Sequence, residues 1–84
     1  MAEKKIGVIS HYFNHLEVGI VNLSAPLKVG DTIRIKGAHD DFTQTVESMQ
    51  VEHRNVAEAN IGDAVGMKVS QKVHENDTVY KVTD

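Results

Sequence analysis

The chain has no cysteine, no tryptophan and a single proline among its 84 residues. Without cysteine it can form neither a disulfide framework nor a reactive thiolate, and this composition fits a reducing cytosol. No apolar run reaches the length of a signal peptide or a membrane span, and the first residues, Met1 to Lys5, include three charged side chains. These absences predict a soluble cytoplasmic protein that is not bound to a membrane.

Length and charge set further bounds. A chain of 84 residues has room for one domain, here residues 1–84, whose core removes about 60–65% of the unfolded surface from water. Nine Lys and Arg against twelve Asp and Glu give a net charge of −3. This charge argues against a protein that coats nucleic acid through bulk electrostatics.

The motifs of common enzymes are also missing. Gly62, Gly66, Lys68 and Ser70 resemble a phosphate-binding loop only superficially, because three residues separate the glycines and Met67 interrupts Gly-Lys. No Gly-x-Ser-x-Gly turn exposes a nucleophile. The sequence therefore predicts a protein that is not an enzyme, with no catalytic residues, no cofactor and no nucleotide.

Five histidines raise the question of a metal site. His11 and His15 are four residues apart, a spacing that would align them on a helix, but here they flank a predicted turn between strands. His39, His53 and His74 lie in or beside predicted loops. Polar loop histidines explain this pattern, and no metal is predicted.

The residues that are present favour strands. Val65, Met67 and Val69 alternate with small or polar residues, and Ile33 and Ile35 do the same. A period of two puts each set on one face of a strand, so we expect all five side chains in the core.

Other strands are predicted over residues 6–13, 16–23 and 78–82, together with a long strand that starts at Phe42. The turn between the first two strands is placed at Asn14-His15. The apolar phase changes at Ile20-Val21 and again between Val46 and Met49. Such changes predict bulges or bends of the kind that turn corners in small closed barrels.

One turn signal occurs three times. A residue that adopts positive φ readily, Gly or Asn, is followed by an Asp and then by a strand. The Asp carboxylate can accept nearby backbone N–H groups and so stabilise the turn. The three turns end at Asp31, Asp63 and Asp77.

Three segments resemble the second domain of the translational GTPases such as elongation factor Tu. They are Leu-Lys-Val-Gly-Asp-Thr-Ile over residues 27–33, the strand at residues 46–53, and Glu-Ala-Asn-Ile-Gly-Asp-Ala-Val-Gly over residues 58–66. Short stand-alone proteins called translation elongation factor-like match this pattern best. The resemblance implies an all-β fold, a six-stranded closed antiparallel barrel.

The chain departs from that family at positions that help to hold the charged end of tRNA. The turn before His15 contains Asn14 where the family has Gly-Arg-Gly, and Gln50 and Ala64 replace the family's Glu and Asn. The GTPase domain is missing. The resemblance thus implies a non-enzymatic interaction module that binds RNA, the ribosome or a translation-associated protein, in an oligomeric state that the sequence leaves open.

Carried over from the family, the binding surface combines the first turn, the Gly-Asp loop and the residues between them. The predicted binding residues are His11, Tyr12, Phe13, His15, Gln50, Arg54, Asn60 and Asp63. A second hypothesis is an accessory docking subunit of an enzyme, for example a collagenase-like peptidase, since similar small barrels terminate such peptidases. A third is a small-ligand binder that uses the barrel mouth, for which no convergent polar set is evident.

Overall fold

The computed structural model describes residues 2–83, and their regular structure consists of ten β-strands. The strands, in chain order, are β1 (Ala2–Phe13), β2 (Val18–Leu23), β3 (Leu27–Lys28), β4 (Thr32–Lys36), β5 (Asp41–Thr45), β6 (Met49–Val51), β7 (Arg54–Val56), β8 (Glu58–Ala59), β9 (Ala64–Lys68) and β10 (Thr78–Thr83). In this range no helix is long and apolar enough to cross a membrane.

The prediction of an all-β antiparallel fold is confirmed, but the prediction of a closed six-stranded barrel is wrong. Eight strands form one open sheet in the order β5-β4-β10-β1-β2-β9-β6-β7, and β3 pairs with β8 separately. The expected long strand from Phe42 breaks after Thr45, and β6 begins only at Met49. Since β5 and β6 lie near opposite ends of the sheet, this short connection curls the sheet, yet no backbone ladder joins its ends.

The core lies on the inner face of the curled sheet. Ile33, Ile35 and Val65 are fully buried, and Met67 and Val69 are 2% exposed, as the alternation predicts. Strand β1 supplies Ile6 and Ile9 to the same cluster, and β2 supplies Val21 and Leu23.

The irregularity in the first hairpin lies on β1 and not on β2. Pairing shifts register between Ile9 and His11, so Ser10 is the extra residue of a bulge opposite Ile20 and Val21. Strand β2 alternates regularly, with Val21 inward and Ile20 outward. The apolar residues that suggested a phase change therefore lie on the two opposite faces of one regular strand.

The first turn is also longer than predicted. It occupies residues 14–17, and its positive φ of 55° falls on Glu17 and not on Asn14. Leu16, predicted to begin the second strand, lies in this turn and is 65% exposed.

The three Gly-Asp and Asn-Asp turns form as predicted. Their positive-φ residues are Gly30, Gly62 and Asn76, with φ of 98°, 91° and 74°. In each turn the Asp Oδ2 atom accepts a hydrogen bond from the backbone N–H three residues earlier. The pairs are Asp31 with Lys28 at 2.9 Å, Asp63 with Asn60 at 2.8 Å, and Asp77 with His74 at 2.9 Å. Local turn chemistry therefore sets the start of β4, β9 and β10.

Candidate functional site

An apolar groove of about 420 Å³ runs along the outer face of the sheet, where β1, β2, β9 and β6 meet. Its apolar walls come from Phe13, Leu16, Val18 and Ile20. Gly66 and Ala64 of β9 form its floor, and its polar rim consists of Gln50, Glu52 and His53. Phe13 is 43% exposed, so the groove offers apolar area to solvent.

The groove exists because Gly66 has no side chain. Gly66 pairs with Ile20 on one side and with Gln50 on the other. A Cβ atom at Gly66 would lie 3.5 Å from Ile20 Cδ1 and 3.6 Å from Val18 Cγ1, within the space between these walls. Glycine inside a strand weakens the strand and often marks a place where another molecule approaches closely.

The β6–β7 hairpin at the rim is strained. Val51 pairs with Arg54, which leaves Glu52 and His53 as a two-residue loop, and their φ angles are 52° and 64°. Such loops favour Asn-Gly, because positive φ is costly for other side chains. Strained backbone of this kind persists mainly at functional positions, and here it holds two rim side chains of the groove.

Two of the sequence-predicted binding residues, Phe13 and Gln50, line the groove. His11 lies beside Phe13, with the ring centroids 4.5 Å apart and the ring planes at 67°. The Gln50 side-chain amide donates to Asn55 Oδ1 at 3.1 Å, which orients it on the rim. The structure thus brings Phe13 and Gln50 together, whereas Asn60 and Asp63 of the predicted Gly-Asp loop do not line the groove.

The other predicted binding residues lie outside the groove lining. Tyr12 is half-buried and packs against the core, on the opposite face of β1 from Phe13. His15 and Arg54 are exposed in or beside turns. Asn60 and Asp63 are joined to each other by the turn hydrogen bond described above, which gives both a structural role.

Four residues that line the groove were not predicted as site residues: Leu16, Val18, Ile20 and Gly66. The available signal was that both faces of β2 are apolar. Val21 and Leu23 already fill the core from one face, so the core does not explain Val18 and Ile20 on the other. An apolar outer face opposite a strand glycine is typical of a surface that a partner covers.

A second cluster joins the β4–β5 turn to the loop before β10. His74 Nδ1 lies 2.7 Å from Asp40 Oδ2, and the Asp77 carboxyl group lies close to both residues. One ligand atom from each of the three residues lies within 4.8 Å of the others. Asp77 Oδ2 already serves its turn, as in the matching turns at Asp31 and Asp63, so these contacts have a structural explanation without a metal ion.

Comparison with known proteins finds a similar sequence and similar solved structures. No protein-family model matches the chain. The chain is 36% identical over 77 residues, 90% of its length, to an uncharacterized protease of Methanocaldococcus jannaschii. That match spans only 19% of the length of the relative.

Two solved structures share this fold. The C-terminal domain of a candidate U32 peptidase from Geobacillus thermoleovorans superimposes with a TM-score of 0.89 at 19% identity, covering 95% of this chain and 93% of that domain. Its selenomethionine variant gives 0.87 at 19% identity, covering 90% of this chain and 96% of the other. At this identity the likeness establishes the fold.

These findings correct the translation-factor interpretation. The relative and the matching structures carry peptidase names, so the resemblance to elongation factor Tu and to stand-alone elongation factor-like proteins was wrong. The expected binding of RNA or the ribosome depended on that resemblance and is withdrawn with it. The second hypothesis, an accessory domain of a peptidase-like protein, agrees with the comparisons.

Proposed function

We propose that this chain is a non-catalytic accessory domain of the U32 peptidase type, which docks through its apolar groove onto the catalytic part of such a protein. The observation that carries the proposal is the 36% identity, over 90% of this chain, to a segment of a protease. The fold match to a C-terminal domain of a candidate U32 peptidase supports the same assignment.

The length of the relative supports the catalytic part of such a protein as the partner of the groove. About four-fifths of that protease lies outside the matched segment. A peptidase active site needs several groups held in register on a sufficiently large scaffold, and the larger part of the relative offers that scaffold. The small segment that corresponds to this chain then serves binding and positioning.

The groove suits a protein segment better than a polar metabolite. Its walls are aliphatic and aromatic, and its polar groups are confined to the rim, as in the centre and edge of protein interfaces. A volume of about 420 Å³ accepts a few apolar side chains of a partner, laid over Gly66 between Val18 and Ile20.

Filling the groove tests the proposal. Gly66→Val introduces a residue that favours strands. Its Cβ atom would lie 3.5 Å or more from its nearest neighbours, which is ordinary contact distance. We expect the unmodified chain to bind the M. jannaschii protease that lacks its matched segment with roughly micromolar affinity by calorimetry. Gly66→Val should weaken binding at least about tenfold, a loss of roughly 1.4 kcal/mol.

Thr43→Val is the matched control. Thr43 is exposed on β5, away from the groove, and also receives a valine, so this variant should bind like the unmodified chain. Equal binding by Gly66→Val would refute the groove as the docking surface. Absence of binding by every variant would refute docking onto the remainder of such a protease.

A further inference from the structure

The segment that follows β9 crosses the open side of the sheet without regular structure. We call residues 69–77 the strap. Its Val69 and Val73 side chains are 2% and 1% exposed, so it covers part of the core. Its last turn is joined to β1, since Asn76 N donates to Ile9 O and Ile9 N donates to Asp77 O, both at 2.8 Å.

Side chains of the β4–β5 hairpin hold the strap at two places. At its start, the Gln44 amide donates to Lys68 O at 2.9 Å and accepts from Ser70 N at 2.8 Å. Near its end, Asp40 contacts His74 at 2.7 Å, and an oxygen of Asp40 lies within 4.8 Å of an oxygen of Asp77. The first contact contains no titratable group, whereas the second consists entirely of titratable groups.

The second contact brings two carboxyl groups together in a nearly dry position. Asp77 is 3% exposed, and the Asp40 side chain is 9% exposed. Gly37 leaves the room for this arrangement, because a Cβ atom there would overlap Asp77 Oδ1. Two buried carboxyl groups this close cannot both be ionised cheaply, so the pair favours sharing one proton.

The charges that act on the pair come from two histidines. His74 contacts Asp40 directly, and His39 on the β4–β5 turn lies beside His74, with the ring centroids 5.6 Å apart. Within residues 2–83, no Lys or Arg forms an ion pair with Asp40 or Asp77.

We propose that the strap is a proton-operated latch. The proton shared by Asp40 and Asp77 keeps the strap closed across the open side of the sheet. Loss of that proton loosens its His74–Asp77 end, while Gln44 still holds its start. Loosening uncovers Val73, which gives this domain a second, conditional surface besides the groove.

The direction of the pH effect follows from both carboxyl groups. Burial and the hydrogen bond with Asp40 raise the pKa of Asp77, so its contribution to closure is present at low pH and is lost as the pH rises through that raised pKa. Burial opposes ionisation of Asp40, but hydrogen bonds with Asp77 and His74 outweigh it and lower its pKa. The contribution of Asp40 is therefore lost only as the pH falls through that lowered pKa.

Amide hydrogen exchange of the strap tests the latch. We expect the protection of the His74, Asn76 and Asp77 amides, corrected for intrinsic rates, to fall at least about tenfold as the pH rises from about 4 to about 8. In Asp77→Asn the side-chain amide donates to Asp40 at every pH and its oxygen still accepts from His74. The protection of these amides should then be independent of pH.

Asp63→Asn is the matched control, because Asp63 makes the same turn contact with Asn60. It should show the same pH dependence as the unmodified chain. Asp40→Asn, which also removes the need for a shared proton, provides a second variant if Asp77→Asn does not fold. If amide protection in the unmodified chain does not change with pH, the latch is overturned. The same holds if protection still falls with rising pH in Asp77→Asn or Asp40→Asn, or if the pH dependence disappears in Asp63→Asn.

Discussion

Single residues decide the turns of this protein, and the sequence predicts them only where the residue type matches its backbone. Gly30, Gly62 and Asn76 tolerate positive φ, and the Asp after each accepts a nearby N–H, so all three turns could be read locally. Glu52 and His53 have no such preference. Their conformation is imposed by the pairing of β6 with β7, which no local pattern reveals.

Relieving that strain should stabilise the domain. Replacing Glu52 with Asn and His53 with Gly gives the two-residue loop its preferred sequence. We expect the free energy of unfolding in urea to rise by about 1–2 kcal/mol, the cost of one ordinary residue in the left-handed region. Glu47→Asn, an exposed position outside the hairpin, should leave it within about 0.5 kcal/mol. An unchanged midpoint in the double variant would show that the hairpin holds no strain.

At the scale of the strands, the inward faces and the position of the last strand were predictable, and the joining of distant edges was not. Alternation placed Ile33 and Ile35 inward, and the last strand was expected at residues 78–82, close to the observed Thr78–Thr83. Whether the outer edge of β5 meets β9 depends on the curl of the whole sheet. In place of a ladder, the Gln44 amide bonds to the backbone on either side of Val69, as a neighbouring strand would.

Gln44 should therefore contribute more to stability than its neighbours on β5. Gln44→Ala removes two hydrogen bonds and leaves Lys68 O and Ser70 N without that partner. At roughly 0.5–1.5 kcal/mol for each bond, we expect a loss of about 1–3 kcal/mol in urea unfolding.

Two further variants make the Gln44 test specific. Thr43→Ala, at an exposed neighbouring position, should cost less than about 0.5 kcal/mol. Gln44→Glu keeps the acceptor for Ser70 N but loses the donor to Lys68 O, so it should fall between the unmodified chain and Gln44→Ala. Equal stability of Gln44→Ala and Thr43→Ala would mean that the amide bridge contributes nothing measurable.

For the whole molecule, residue patterns predicted an all-β fold and much of the core but not the open sheet, and the resemblance led to the wrong protein class. The segments that suggested a translation factor, around Asp31 and Asp63, are the same segments that build the recurrent turns. Turn chemistry and strand alternation are shared by many small β-domains whatever their task, so they carry information about fold and little about function. The groove formed by Val18, Ile20 and Gly66 depends on packing between distant strands, and it became visible only in three dimensions.

The stability of so small a molecule should depend on a few central side chains. Ile35 is fully buried on β4, and truncation to Ala leaves a cavity that costs roughly 2–5 kcal/mol. A domain of this size has a total stability near the lower end of the usual range of about 5–15 kcal/mol, so Ile35→Ala should leave a substantial unfolded fraction without denaturant. Circular dichroism during urea titration measures the loss of stability.

Val29→Ala is the control, because Val29 is 42% exposed and its truncation should cost less than about 0.5 kcal/mol. Similar losses in the two variants would mean that stability does not reside in the inner face of the sheet, contrary to the burial of Ile33, Ile35 and Val65 there.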